Sequence, residues 1–267
     1  MITRVQIILL LVLLSQTLLY SHNNINMEEP HILYRLNFEE RNPLPTFISA
    51  QTATAYGLQI VESPVFEGKK AARFELRSGD NENNNGTRAE ISFPEPGGTG
   101  NIERWYAFAI YFPRKEYDTD SSDEVISQWH QGGKATPSLC MRTKNGRLRL
   151  RITARPKDKD VVEMGPIEKD VWQYFVVHVK HSATADGLVE IWRNGVPLVN
   201  YKGANMYDLS TGNFHLPNWK LGIYKSAWNK GAVTDASKRV LYFDAISVGN
   251  ERASFAEMNI TKTSNRK

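Results

Sequence analysis

The sequence predicts an all-β protein, a sandwich or jelly roll of two antiparallel sheets. Three observations predict it: short runs that alternate apolar and polar residues, Gly, Asn, Asp and Pro punctuation between those runs, and the lack of any long stretch with helical periodicity. The expected strands are Trp105 to Phe112, Val125 to His130, Leu139 to Thr143, Arg147 to Ala154, Trp172 to Lys180, Leu188 to Arg193, Trp219 to Tyr224 and Val240 to Val248. Runs with one apolar and one polar face suit sheets that each pack one face on a shared core. Two hairpin turns are placed at Lys144-Asn145-Gly146 and Arg193-Asn194-Gly195. Asn-Gly pairs tolerate the positive φ angles of tight turns, so these two pin the register of the strands they join.

The N-terminus has one charge, Arg4, then the apolar run Val5 to Leu14, then small or polar residues around Ser21. That order predicts a signal peptide over residues 1–21. The run falls short of the ~20 residues of a membrane span, and no comparable stretch follows. The expected product is therefore secreted or periplasmic, monomeric and free of the membrane once the signal is removed. Residues 22–252 are expected to form one domain, with 253–267 a short polar tail lacking strand character. Removing 21 of 267 residues leaves 246, which suits a single all-β domain. Cys140 is the sole cysteine, so no intramolecular disulfide forms and stability must come from the core. The net charge of +4 says little by itself, and its distribution matters more. No nucleic-acid module is present, and nucleic acid is not an expected partner. Residues 80–87 form a polar loop rich in Asn. Asn85-Gly86-Thr87 inside it and Asn259-Ile260-Thr261 match the glycosylation sequon, which matters only in a host with the machinery.

Four segments carry candidate chemistry. Side chains two apart on a strand share a face, so Arg88 and Glu90 project together while Ala89 and Ile91 face the core. Taken alone, that pair reads first as a surface salt bridge on a solvated sheet face. Gln128 and His130 likewise share a face, with Trp129 opposite, whereas His178, His181 and His215 are expected to be structural. In the third segment Lys220, Gly222 and Tyr224 share a face. Gly222 either leaves room for a ligand or marks a bulge. The run Arg147 to Ile152 sets Arg147, Arg149 and Arg151 on one face as a cationic stripe. Planar guanidiniums bind carboxylate or sulfate in forked pairs, so the stripe suits a polyanion; the competing reading is a solvated outer face.

Taken in order, Arg88-x-Glu90, Gln128-x-His130 and Lys220-x-Gly222-x-Tyr224 resemble the three signature strands of alginate lyases of polysaccharide lyase family 7. They also resemble the heparin lyase I and glucuronan lyase group, whose framework strands Trp105 to Pro113, Leu188 to Gly195 and Val240 to Gly249 resemble as well. The likeness covers nearly the whole chain after the signal. It implies a concanavalin-like β-jelly roll. The chain departs from the alginate enzymes at Ala89, Trp129 and Asn218-Trp219, which argues against alginate as substrate.

The resemblance implies cleavage of a 4-linked uronate polysaccharide by β-elimination. Removing the weakly acidic C5 proton builds charge on the neighbouring carboxylate, and positioned donors must neutralise it. Arg88 and Gln128 suit that task. His130 and Tyr224 are the candidate base and acid. Where H5 and O4 lie on the same side, as in β-linked glucuronate or mannuronate, Tyr224 can perform both steps. With H5 and O4 on opposite sides, His130 becomes the base and Tyr224 the acid. Lys220 is expected to bind the substrate carboxylate or favour the phenolate, and Glu90 to orient Arg88. A compact glucuronan-lyase-like enzyme is the first reading of substrate, then a heparin-type or alginate polymer. A sandwich-fold glycoside hydrolase and a non-catalytic lectin are the competing classes. No cofactor is required, and a structural calcium ion stays open, although no clustered Asp motif declares one. Asp244 is expected to be structural.

Overall fold

The computed structural model describes residues 31–93, 103–132, 135–155 and 158–260. The expected signal peptide and the last residues of the expected tail lie outside them. Among the described residues there are fifteen strands. The first five are β1 (Ile32–Leu36), β2 (Ser49–Thr52), β3 (Leu58–Val61), β4 (Ala71–Arg77) and β5 (Arg88–Phe93). Next come β6 (Glu103–Tyr111), β7 (Glu124–His130), β8 (Leu139–Lys144), β9 (Arg147–Arg155) and β10 (Asp158–Pro166). The last five are β11 (Trp172–Lys180), β12 (Leu188–Arg193), β13 (Val196–Lys202), β14 (Asn218–Tyr224) and β15 (Lys238–Gly249).

They form two antiparallel sheets, as expected. The front sheet runs β10-β9-β8-β7-β14-β5-β2, and the back sheet runs β13-β12-β11-β6-β15-β4-β3 with β1 also paired to β15. Both Asn-Gly turns are where the sequence puts them. Asn145 and Gly146 have φ of 50° and 69°, and Asn194 and Gly195 have 52° and 81°. Among the described residues no helix is long and apolar enough to cross a membrane.

Period-two alternation builds the core between the sheets. Ala89, Ile91 and Phe93 of β5 and Trp219, Leu221 and Ile223 of β14 point into it, as do Phe108 of β6 and Phe243 of β15. Trp219 sits at the centre, with ring centroids 4.8 Å from both Phe93 and Tyr106. Its indole nitrogen donates to Ser127 Oγ at 3.0 Å, which satisfies the one polar group this large side chain buries. Trp129 packs edge-on against Tyr106 at 5.3 Å. The two tryptophans therefore form the floor under the opposite, pocket-facing side of β7 and β14.

Gly222 resolves in favour of a bulge. Its φ is +139°, and a Cβ there would lie 2.2 Å from the Ala89 carbonyl oxygen and 2.6 Å from Glu90 Cα. Pairing between β14 and β7 shifts register between Leu221 and Tyr224. The glycine lets the strand bend against its neighbour's backbone and does not open space for a ligand.

Part of the expected polar tail is packed. Ser254 caps the helix α1 (Phe255–Met258), exchanging hydrogen bonds with Glu257 in a capping box. Met258 is buried and Phe255 lies 4.9 Å from Trp192 on the outer face of the back sheet. Asp244 is structural, accepting from the Phe66, Glu67 and Ala245 amides.

Beyond Tyr224 the chain is anchored by a buried ionic cluster. Lys225 is fully buried, with its ammonium 3.2 Å from Asp120, 3.3 Å from Glu124 and 2.6 Å from Ser122 Oγ. Arg239 pairs with the second side of Glu124 at 2.8 Å. Burial opposes ionisation of Asp120, but the Ser122 amide and the Lys225 ammonium overcome it and hold the carboxyl at about 2. Breaking a buried pair from one side leaves an uncompensated charge. Lys225→Met is therefore expected to cost ~3–5 kcal/mol of unfolding free energy by urea titration; a loss below ~1 kcal/mol would contradict the account. Because the folded value for Asp120 lies below the ordinary ~3.9, its contribution is present above that pH and lost as pH falls through about 2. Acid titration of Asp120→Asn should accordingly show a shallower loss of stability between pH ~4 and ~2 than the parent protein does.

Candidate active site

The pocket-facing side of the front sheet bears a cleft of about 630 Å³. Its described lining includes Arg88, Arg142, Arg151 and Lys220 and no carboxylate. Strand register sets these groups in two rows across the sheet. One row runs Arg88, Tyr224, Val125, Arg142 and Arg149. The next runs Ser92, Lys220, Gln128, Cys140 and Arg151. A chain lying across the strands would meet both rows.

Beneath the cleft Glu90 is fully buried. It accepts from Arg88 Nη1 at 3.0 Å and from Gln128 Nε2. One carboxylate thus orients both donors, and the Gln128 amide keeps a second hydrogen for the cleft. The Arg88–Glu90 pair is no solvated surface bridge, since their side chains are 9% and 0% exposed. Glu90 is also committed to these two partners, and the described lining holds no carboxylate pair of the kind hydrolysis requires.

Tyr224 is half-buried at the end of β14. The Arg88 guanidinium lies 4.5 Å from its ring centroid. Asn229, on the 3-10 helix Ser226–Gly231, accepts the Thr87 amide on Oδ1 at 2.7 Å. That bond orients the amide so that Nδ2 donates to the phenol oxygen at 3.2 Å. On the far side the Asn-rich loop closes bare backbone on the ring. A Cβ at Gly86 would come 2.6 Å from Tyr224 Cε2 and 2.9 Å from Arg88 Nη2. Arg88 Nη2 donates back to the Asn84 carbonyl at 3.3 Å, and Asn84 and Asn85 line the cleft.

His130 lies across the cleft from this corner. Burial pushes its ring down to about 4, and the charges of Lys220 and Arg88 push the same way. The imidazole is neutral at physiological pH. Its Nδ1 faces the Gly132 amide at 3.0 Å. An amide N–H only donates, so Nδ1 carries the lone pair and Nε2 carries the proton. Lys220 donates to Gln51 Oε1 at 3.1 Å. Burial draws its ammonium below the ordinary value; Glu90 counters that shift and Arg88 adds to it.

The structure thus brings together Arg88, Glu90, Gln128, His130, Lys220 and Tyr224. The Arg stripe divides. Arg151 lines the cleft, but Arg147 and Arg149 turn to Glu163 at 3.2 and 2.7 Å. Glu163 lies on β10, a strand the alternation did not reveal, and is paired directly with Arg149. Among the site residues that sequence reasoning missed are Arg142 and Asn229. Arg142 was legible in principle, because it follows Cys140 by two on an expected strand and so shares its face. Asn229 had no signal, since only the fold brings residue 229 to residue 224. His178 and His181 lie away from the cleft, the former between Glu103 and Glu190 at 2.9 Å each. His215 abuts the site, with its ring against the Gly132 backbone. Among the described residues no group of three or more His, Cys, Asp or Glu side chains is gathered as a metal-binding set.

Solved structures share this architecture. Endo-β-1,4-glucuronan lyase from the fungus Trichoderma reesei matches with a TM-score of 0.69 at 17% identity, over 85% of this chain and 98% of that one. A botulinum neurotoxin type C structure matches with a TM-score of 0.56 at 10% identity, over 89% of this chain and 52% of that one. The binding domain of Paraclostridial Mosquitocidal Protein 1 gives 0.55 at 14% identity, over 88% and 52%. At these identities the likenesses establish the fold alone, and the chain spans about half the length of the two toxin chains. No curated protein sequence matches the chain. The polysaccharide lyase family model matches residues 25–247, most of the chain, and the protein belongs to that family.

Proposed function

We propose that this polysaccharide lyase cleaves a 4-linked β-glucuronate polymer by same-side β-elimination, with Tyr224 as both base and acid. The observation that carries the reading is the state of His130. A ring whose Nδ1 is occupied by the Gly132 amide and whose Nε2 bears the proton offers no lone pair to a C5 hydrogen. That leaves the Tyr224 oxygen, which Asn229 holds from one side. The substrate carboxylate sits against Arg88 and the free amide hydrogen of Gln128, where negative charge builds as H5 leaves. Tyr224 phenolate takes H5, the C4–O4 bond breaks, and the new phenol hands the proton to O4. The product has a C4–C5 double bond at its new non-reducing end. His130 stays neutral throughout and positions the cleft wall, its ring also bonded by the Ala135 backbone.

Same-side geometry selects glucuronate or mannuronate over guluronate or iduronate. The Trichoderma reesei structure is that of an endo-β-1,4-glucuronan lyase, which favours glucuronate of the two. Four cations and no carboxylate on the described lining suit an acidic chain. The signal-like pattern of residues 1–21 supports a reaction outside the cytoplasm, where such polymers are met.

Two outcomes test this reading. Tyr224→Phe should lower turnover of polyglucuronate by at least ~10²-fold, followed as the ultraviolet absorbance of the unsaturated product, while the thermal transition stays put. Turnover within a few-fold of the parent would sink the assignment. By nuclear magnetic resonance the His130 ring should titrate near pH 4, and Lys220→Met should raise that midpoint by removing a neighbouring positive charge. An ordinary midpoint near ~6.5 would return His130 to candidacy as the base.

A further inference from the structure

Arg142 and Arg151 take no part in the chemistry just described. They lie on β8 and β9, beyond β7 from Tyr224, and both line the far end of the same cleft. Strands are spaced ~4.8 Å apart, so these guanidiniums stand two and three strand spacings from β14, roughly 10–15 Å from the reacting corner. That interval is about two or three 4-linked pyranose rings.

Their environment is unlike that of their neighbours. Arg147 and Arg149 are exposed and half-buried respectively, and both are paired with Glu163. Arg142 has a side chain only 9% exposed, fixed through Nε by Asp123 at 2.7 Å, with Nη1 at 3.8 Å from the Cys140 sulfur. Arg151 has its Nε buried without any hydrogen-bond partner. Among the described residues Arg151 pairs with no carboxylate, so a carboxylate entering the cleft meets an uncompensated guanidinium there. The two groups also fall in the two functional rows. Arg142 is in the row of Arg88 and Tyr224, and Arg151 in the row of Lys220 and Gln128. A polymer laid across the strands past Tyr224 therefore runs directly onto them.

We propose that Arg142 and Arg151 form a second carboxylate subsite, which grips an acidic sugar of the same chain two or three rings from the bond that breaks. This rests on the uronate reading of the cleft. Planar guanidiniums donate to a carboxylate in forked pairs, which a neutral sugar cannot accept in the same way. The enzyme therefore reads at least two carboxylates on one chain and acts on acidic blocks in preference to sparsely acidic polymers. Asp123 is the positioning residue, holding the Arg142 plane toward the cleft.

Binding measured without turnover tests this. In the Tyr224→Phe background, calorimetry with hexaglucuronate compares Arg142→Gln/Arg151→Gln with the charge-matched pair Arg147→Gln/Arg149→Gln. The first pair should weaken binding at least tenfold and the second by no more than about twofold, since bonds to charged groups are the strong ones. Equal losses in both pairs would reduce the effect to general electrostatics and overturn the subsite, as would no loss in the first or no binding in the parent background. Cleavage by the parent enzyme separates this from the chemistry. A binding difference without unsaturated product keeps the subsite and removes the elimination reading, whereas unsaturated product without a binding difference does the opposite.

Discussion

The site depends on one buried carboxylate. Glu90 has no access to water and holds Arg88 with one oxygen and Gln128 with the other. A buried carboxylate is tolerated only when paired, so the two donors are required by Glu90 as much as oriented by it. This reciprocity fixes their planes before any substrate arrives. Preorganised donors lose little when charge develops in front of them, which is why such an arrangement lowers a barrier.

The scaffold protects that geometry from both sides. Behind β7 and β14, Trp129 and Trp219 fill the core with rigid aromatic surface, and the Gly222 bulge re-aims the end of β14. Beyond it, the Lys225 cluster anchors the residue next to Tyr224 with charges that have no room to rearrange. Tyr224 is thus held between a packed sheet, a buried ion pair and the Asn229 amide.

Much of this was legible in the sequence. Strands buried on a sheet face carry period-two alternation, and the three motif strands showed which side chains share a face. The eight expected strands correspond to β6, β7, β8, β9, β11, β12, β14 and β15. Edge strands were hidden because they bury little. β2 has no residue in the buried class, and β13 carries Pro197. β4 is central, but its Ala71-Ala72-Arg73-Phe74-Glu75 sequence lacks the β-branched residues that mark strands. Missing β10 made the Arg stripe look continuous, since Glu163 on β10 pairs with two of its three members. The docked helix in the tail was not legible, because polar residues there cap a helix whose apolar side docks, a pattern too short to show periodicity. Asn229 and the state of His130 depend on contacts between distant segments, and no local pattern encodes them.

The central claim is that the glycosidic bond is broken by elimination and not by water. Digestion of polyglucuronate in heavy-oxygen water, followed by mass spectrometry of the products, tests it most directly. The account predicts products whose new non-reducing ends are unsaturated, lighter by one water than a hydrolytic product, and without heavy oxygen on the unsaturated ring. Products of full hydrolytic mass with heavy oxygen at the new ends would contradict it.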